Sequence, residues 1–173
     1  MFNTIAKALS SLVSPKKEKW SFNLTGIVHL QAWNKQGEKI FDEIWKNLIV
    51  NAWLAEVTNL LWNVSTPTEF TYLATGSDAT AAAAAQTTLV SENSWSWSDR
   101  AAATVTQETT SVSNDTLQLL HTFNFSGAIT VSEVGIFNAA SSGDMLARYI
   151  PTSDTFGNGD SLQITYQIVA GTS

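Results

Sequence analysis

From Trp20 to Trp33 the even positions read Trp, Phe, Leu, Gly, Val, Leu and Ala, while the odd positions are mostly Ser, Asn, Thr, His and Gln. Alternation with a period of two predicts a strand with one face buried and one wet. The polar run Asn34 to Gly37 reads as a turn, and "EKIFDEIW" as the returning strand of a hairpin. The period then changes. Val50, Trp53, Leu54, Val57, Leu60 and Leu61 recur at threes and fours, which predicts an amphipathic helix over about 48–62, lying on one end or face of a sheet. Asn47 is the N-cap that this boundary suggests.

Strand character returns in "EFTYLATG", in the Thr-rich run 101–109, and most clearly in Leu117, Leu119, His121, Phe123 and Phe125, which alternate with Gln118, Thr122 and Asn124. "AITVSEVGIFN", "MLARYI" and the alternating Leu162, Ile164, Tyr166, Ile168 and Ala170 complete the set, with turn chemistry at Asn114-Asp115 and at "SSGD". Roughly eight or nine strands with one substantial helix predict a mainly β chain, an antiparallel β-sandwich with a jelly roll among its possible forms. The expected organisation is a short N-terminal arm or helix over 1–19 and a single β-sandwich domain over 20–173. Between the strands of 71–76 and 101–109 lies "SDATAAAAAQTTLVSENSWSWSDR". Its alanines favour helix, but so short a run is not stable alone. We read it as a long loop with one helical turn at most, and such loops are usually either functional or disordered.

Charged residues make up only 14% of the chain, about half the usual share, so Ser, Thr, Asn and Gln must carry the polar surface. The formal charge of -6 argues against nucleic acid as a partner, since phosphate binding needs clustered Lys and Arg. The basic cluster Lys16, Lys17 and Lys19 is interrupted by Glu18. With no cysteine, disulfides, thiol catalysis and Cys-ligated zinc are excluded. No apolar run reaches the ~20 residues that span a bilayer, so no membrane partner is expected. The N-terminus is unlike a secretion signal, because its charges mostly follow a short apolar stretch that Lys7 breaks. Phe2, Ile5, Leu9 and Leu12 share one helical face ahead of Pro15, as in a docking helix, although a frayed terminus fits the same residues.

Catalytic signatures are scarce. His29 sits on a polar strand face and His121 on an apolar one, and both read as structural or surface histidines. No zinc-protease helix, nucleophile elbow or phosphate-binding loop is present, so neither an enzyme activity nor a cofactor is expected. Asp154, Asn158 and Asp160 form an oxygen-rich, Gly-containing stretch that is a weak calcium candidate, lacking the spacing and closing Glu of an EF-hand. Four glycosylation sequons are read as coincidental. Glu92, Arg100, Glu133 and Arg148 lie in apolar surroundings, where a charge needs a partner. Glu133 with Arg148, and Glu92 with Arg100, are therefore expected as structural ion pairs. Trp20, Trp53 and Trp62 are expected in the core. Trp95 and Trp97 would share a face of an extended chain, where large aromatics serve either core or interface. Together with Phe2, Ile5, Leu9, Ala81 and Ala83 they are the interface candidates.

Two stretches resemble the structural proteins of tailed-bacteriophage virions. "YLATGSDATAAAAAQTTLVSE", leading on to Arg100, is similar to a family segment in which a strand ends in Ala-x-Gly, an Ala/Thr-rich loop follows, and Leu-x-x-Glu leads to Arg. "ITVSEVGIFNAASSGDMLAR" is similar to the family's Ile-x-x-x-Glu-x-Gly-Ile/Leu-Phe-Asn strand, Gly turn and Met-Leu-Ala-Arg. "GIVHLQAWNKQGEKIFDEIWKNLIVN" resembles its hairpin and Lys-Asn segment, with a departure at or near Trp53, where the family more often carries Gly. The resemblance covers most of 26–170 and leaves out the residues before about Trp20. It implies a virion location, a framework role for the four charged residues, and binding to the major capsid protein or other virion proteins. It also suggests a homo-oligomer, for which a trimer is the working guess. A decoration or cement protein of the capsid is the first expectation. A tail, baseplate or fibre-attachment protein is the second. A carbohydrate-binding or hydrolytic β-sandwich using Trp95, Trp97 and Asp99 is the third.

Overall fold

The computed structural model describes residues 22–62 and 68–172. The chain is mainly β and antiparallel, as its alternation predicts. A hairpin, β1 (Phe22–Trp33) and β2 (Lys39–Ile49), is followed by the helix α1 (Asn51–Trp62). After it come β3 (Tyr72–Gly76), β4 (Ala101–Ala102), β5 (Thr104–Glu108), β6 (Thr116–Asn124), β7 (Ile129–Val131), β8 (Glu133–Phe137), β9 (Met145–Tyr149), β10 (Asp154–Phe156) and β11 (Ser161–Thr172). Nine strands form one sheet in the order β4-β3-β8-β9-β2-β1-β11-β6-β5, while β10 pairs with β7 alone.

This sheet makes both layers of the sandwich. β2 joins them, because its first part pairs with β1 and its last two residues, Leu48 and Ile49, pair with Arg148 and Ala147 of β9. The two edge strands, β4 and β5, are consecutive in the chain and separated only by Ala103. The sheet therefore curls until its edges approach, which leaves it nearly closed into a barrel. Val28 and Leu30 of β1, Leu119 of β6 and Ile164 of β11 meet Leu73 of β3 and Ile136 of β8 in one core. A smaller cluster of Val50, Ala74, Leu89, Phe137 and Met145 lies beside it.

The helix starts later than its periodicity suggests. Leu48 and Ile49 belong to β2, and Asn47 is a strand residue opposite Gly26, not an N-cap. Pairing with β9 satisfies two more residues of backbone than an earlier helix start would. The first amides of the helix region are instead met by main-chain carbonyls: Val50 N donates to Leu146 O and Asn51 N to Ala84 O. Leu54, placed on the apolar stripe by the pattern, is 59% exposed, whereas Trp53 packs edge-on against Phe70. Trp20 and Trp62 lie outside the residues whose side chains are described.

Gly26 exists to make room. A Cβ there would overlap the side chain of Asn47, whose buried amide fills the space. Gly26→Ala is expected to destabilise the protein by about 1–3 kcal/mol, the usual cost of overpacking, read as a lower urea midpoint. In an Asn47→Ala background the sign should reverse or vanish, since alanine is otherwise favoured over glycine inside a strand by roughly 0.5–1 kcal/mol.

Candidate functional site

The segment from Ser77 to Arg100 links β3 to β4 and holds the alanine run. It forms no helix. One turn forms at its centre, where Gln86 N donates to Ala83 O. Leu89 alone of its apolar residues is buried, at 3% exposure, and it fits because β8 carries Gly135 beneath it. A Cβ on Gly135 would stand 3.0 Å from Leu89 Cδ2 and 3.1 Å from the Phe137 ring.

Two strands hold the first half of this loop. Glu133 opens β8 and Arg148 lies in β9, where Gly135 is opposite Arg148. Glu133 and Arg148 are thus diagonal neighbours on one face, within reach of long side chains. Both are fully buried. Arg148 Nε donates to Glu133 Oε2 at 2.8 Å, and Nη2 lies 2.7 Å from the same oxygen in a Coulombic contact without hydrogen-bond alignment. Each partner then grips the loop. Glu133 accepts the Ser91 amide at 2.7 Å and the Val90 amide at 3.0 Å. Arg148 Nη1 donates to the Thr80 carbonyl at 2.9 Å and to Gln86 Oε1 at 3.0 Å, and that oxygen also accepts the Ala83 amide. Asp78 contributes by accepting the Thr80 amide, and the Thr80 hydroxyl and amide hold its carboxyl below the usual range.

A second pair fastens the far end. Arg100 clasps Glu92 through Nε at 2.6 Å and Nη2 at 2.8 Å. Its remaining nitrogen, Nη1, donates to the carbonyls of Ala139 and Ser142 in the β8–β9 turn, and the guanidinium stands 3.5 Å over the Phe137 ring. Glu92 also bridges Gly76 through the backbone, and Asn93 N donates to Thr75 O. The structure thus brings together both pairs named from the sequence.

The interface candidates divide. Ala81 and Ala83 are exposed on the clamped loop, along with Val90. Trp95 is 64% exposed. The extended chain expected around it is instead a turn, in which Ser98 N and Asp99 N both donate to Trp95 O. The rings of Trp95 and Trp97 nevertheless stack, 6.3 Å apart and 6° from parallel, and Trp97 rests edge-on against Phe125. Trp97 is therefore the support and Trp95 the presented surface. A recess of ≈ 490 Å³, lined by Asn93, Ser94, Asp99, Arg100 and Ser141 among others, lies next to this turn. Phe2, Ile5 and Leu9 lie outside the described residues.

The oxygen-rich stretch takes another form. Asp154 starts β10, and Asp160 closes a turn by accepting the amides of Gly157 and Lys35. Among the described residues no three of His, Asp and Glu gather as a metal site would require. His29 reaches Asp42 Oδ1 at 2.7 Å on the wet face, while His121 stacks edge-on against Phe123. Sequence reasoning missed Asp78 and Gln86, whose loop contacts leave no pattern along the chain. It also missed Glu43, which accepts the Tyr149 hydroxyl and the Thr152 amide.

The arrangement is a small-residue surface loop with a shelf of tryptophan at one end, hydrogen-bonded from beneath to buried charge. No protein-family model, curated protein or solved structure matches this chain.

Removing one member of the buried pair leaves the other unpaired. Glu133→Gln should therefore cost about 3–5 kcal/mol, and hydrogen exchange of the Val90 and Ser91 amides should quicken beyond that of the β1–β11 core. Replacing both partners by apolar residues should cost less than the sum of the single changes.

Burial lowers the His121 pKa from 6.5, more than its hydrogen bond with the Ala102 backbone raises it. The neutral ring is thus the folded form, and its contribution is complete above about pH 6.5 and lost as pH falls through the folded-state value. The urea midpoint of the wild type should accordingly drop more steeply between pH 7 and pH 5 than that of His121→Gln.

Proposed function

We propose that this chain is a non-enzymatic structural component of a tailed-bacteriophage virion, and within the particle a capsid decoration or cement protein. The observation that carries the reading is the clamped loop. A long segment without regular secondary structure is held at Thr80, Gln86, Val90, Ser91 and Glu92 by buried side chains or main chain. Ala81, Ala83, Val90 and Trp95 are thereby presented outward. A surface fixed in advance loses little conformational entropy on docking, and small side chains let a neighbouring subunit approach closely. Charged groups serve to hold the loop, which suits framework more than catalysis. The resemblance of 72–100 and 129–148 to virion proteins points the same way.

In this role each copy would bridge neighbouring shell subunits through modest contacts, and binding strength would come from the number of copies engaged. A trimer would bring three loops and three Trp95 shelves to one contact region. The partner is the major capsid protein.

Quantitative mass spectrometry of purified particles tests this directly. A copy number approaching that of the shell subunit is expected. A handful per particle would move the chain to the tail, baseplate or fibre, and its absence would end the virion reading.

A further inference from the structure

An apolar surface recess lies away from the clamped loop, between α1 and the free edge of the sheet. One part, ≈ 370 Å³, is walled by Trp53, Phe70, Val105, Leu117 and Leu146. A second part of ≈ 570 Å³ shares Trp53, Val105 and Leu117 with the first and runs on to Leu24, Ile168 and Ala170. The two make one groove. Its rim carries Glu56 and Glu69. Asp115 lies at the other end, but its carboxylate is occupied by the amides of Thr110, Ser111 and Val112. Trp53, common to both parts, has a buried indole N–H with no hydrogen-bond partner among the described residues. β5 ends the sheet order here and offers an unpaired strand edge.

We propose that the groove is the seat of the chain's own first residues, with Phe2, Ile5, Leu9 and Leu12 on its apolar floor. Three observations select this occupant. The chain enters β1 at the groove: Leu24, third residue of the strand and paired with Ala170, is part of its wall. Nine residues separate Leu12 from Phe22, enough to cover about 30 Å when extended, so the segment reaches its own groove without strain. Its charge is also complementary. Residues 1–21 hold four lysines and one glutamate in an otherwise acidic chain, and the free carboxylates on the rim, among the described residues, are Glu56 and Glu69. A second copy's folded body is acidic and lacks that match. The spacing of the four apolar residues at threes and fours gives one continuous stripe, the shape that a groove accepts from a partner segment.

The proposal is independent of any virion role, because it concerns the free protein. The chain has no cysteine, so an introduced pair reports without background. Leu9→Cys with Val105→Cys in the full-length chain should form an intrachain disulfide under mild oxidation. It should remain a monomer on a non-reducing gel and give a mass two hydrogens lighter. Leu9→Cys with Ile44→Cys, on the opposite wet face, should stay reduced under the same conditions. Disulfide-linked dimers would assign the groove to a second copy and overturn the proposal, as would equal bonding in both pairs or none in the first. A second readout does not depend on the introduced thiols: Leu9→Asp should raise the fluorescence of an apolar-surface dye several-fold while leaving the far-ultraviolet circular dichroism intact. An unchanged dye signal with that variant would also overturn it.

Discussion

A carboxylate and a guanidinium removed from water govern the least regular part of this protein. Stripping Glu133 and Arg148 of solvent costs several kcal/mol for each ion, and their mutual attraction offsets that only when the remaining lone pairs and N–H groups are also satisfied. Here the loop supplies those groups. The amides of Val90 and Ser91 serve the carboxylate, and the Thr80 carbonyl and Gln86 amide oxygen serve the guanidinium. The dependence runs both ways: the pair is tolerable because the loop is there, and the loop is ordered because the pair is there. It extends further, since the turn that Gln86 stabilises delivers the Ala84 carbonyl to the Asn51 amide. The start of α1 thus rests on an ion pair in two strands on the other side of the alanine run.

Scarcity of charge elsewhere is consistent with this use of it. On the wet face of β11 and β6, neighbours are joined by neutral groups: Gln167 donates to Gln118, and Gln163 to Thr122. Such pairs solvate a sheet face without the long-range field of charged side chains. They also leave that face easier to cover than a charged one, because less hydration is lost on contact.

The strands were legible because their alternation is a local property of the chain, and the buried ion pairs because a charge in apolar surroundings must find its opposite. Other features were hidden because they depend on which strands meet. Nothing around Leu48 and Ile49 states that β9 will offer them an edge, so the helical period ran two residues too far into the strand. The alanine run has helix propensity by itself, and Asp78, Gln86 and Arg148 override it from positions up to about seventy residues away. The spacing of Trp95 and Trp97 suggested a shared face of an extended chain; they stack instead within a turn, since Ser98 and Asp99 both fold back on the Trp95 carbonyl.

The place of β11 has a consequence for how the chain comes to be folded. It lies between β1 and β6 and pairs with both along nearly its whole length, so the last of these strands to be synthesised is an interior one. Until Ser161–Thr172 leaves the ribosome, β1 and β6 each present an open edge and half of the core has no wall. Loop-closure entropy makes such distant pairings slow, and open edges during that interval are sites of wrong association. The pairing of β1 and β6 is thus completed only when β11 inserts between them, and the interval before that is when these strands are most in need of protection.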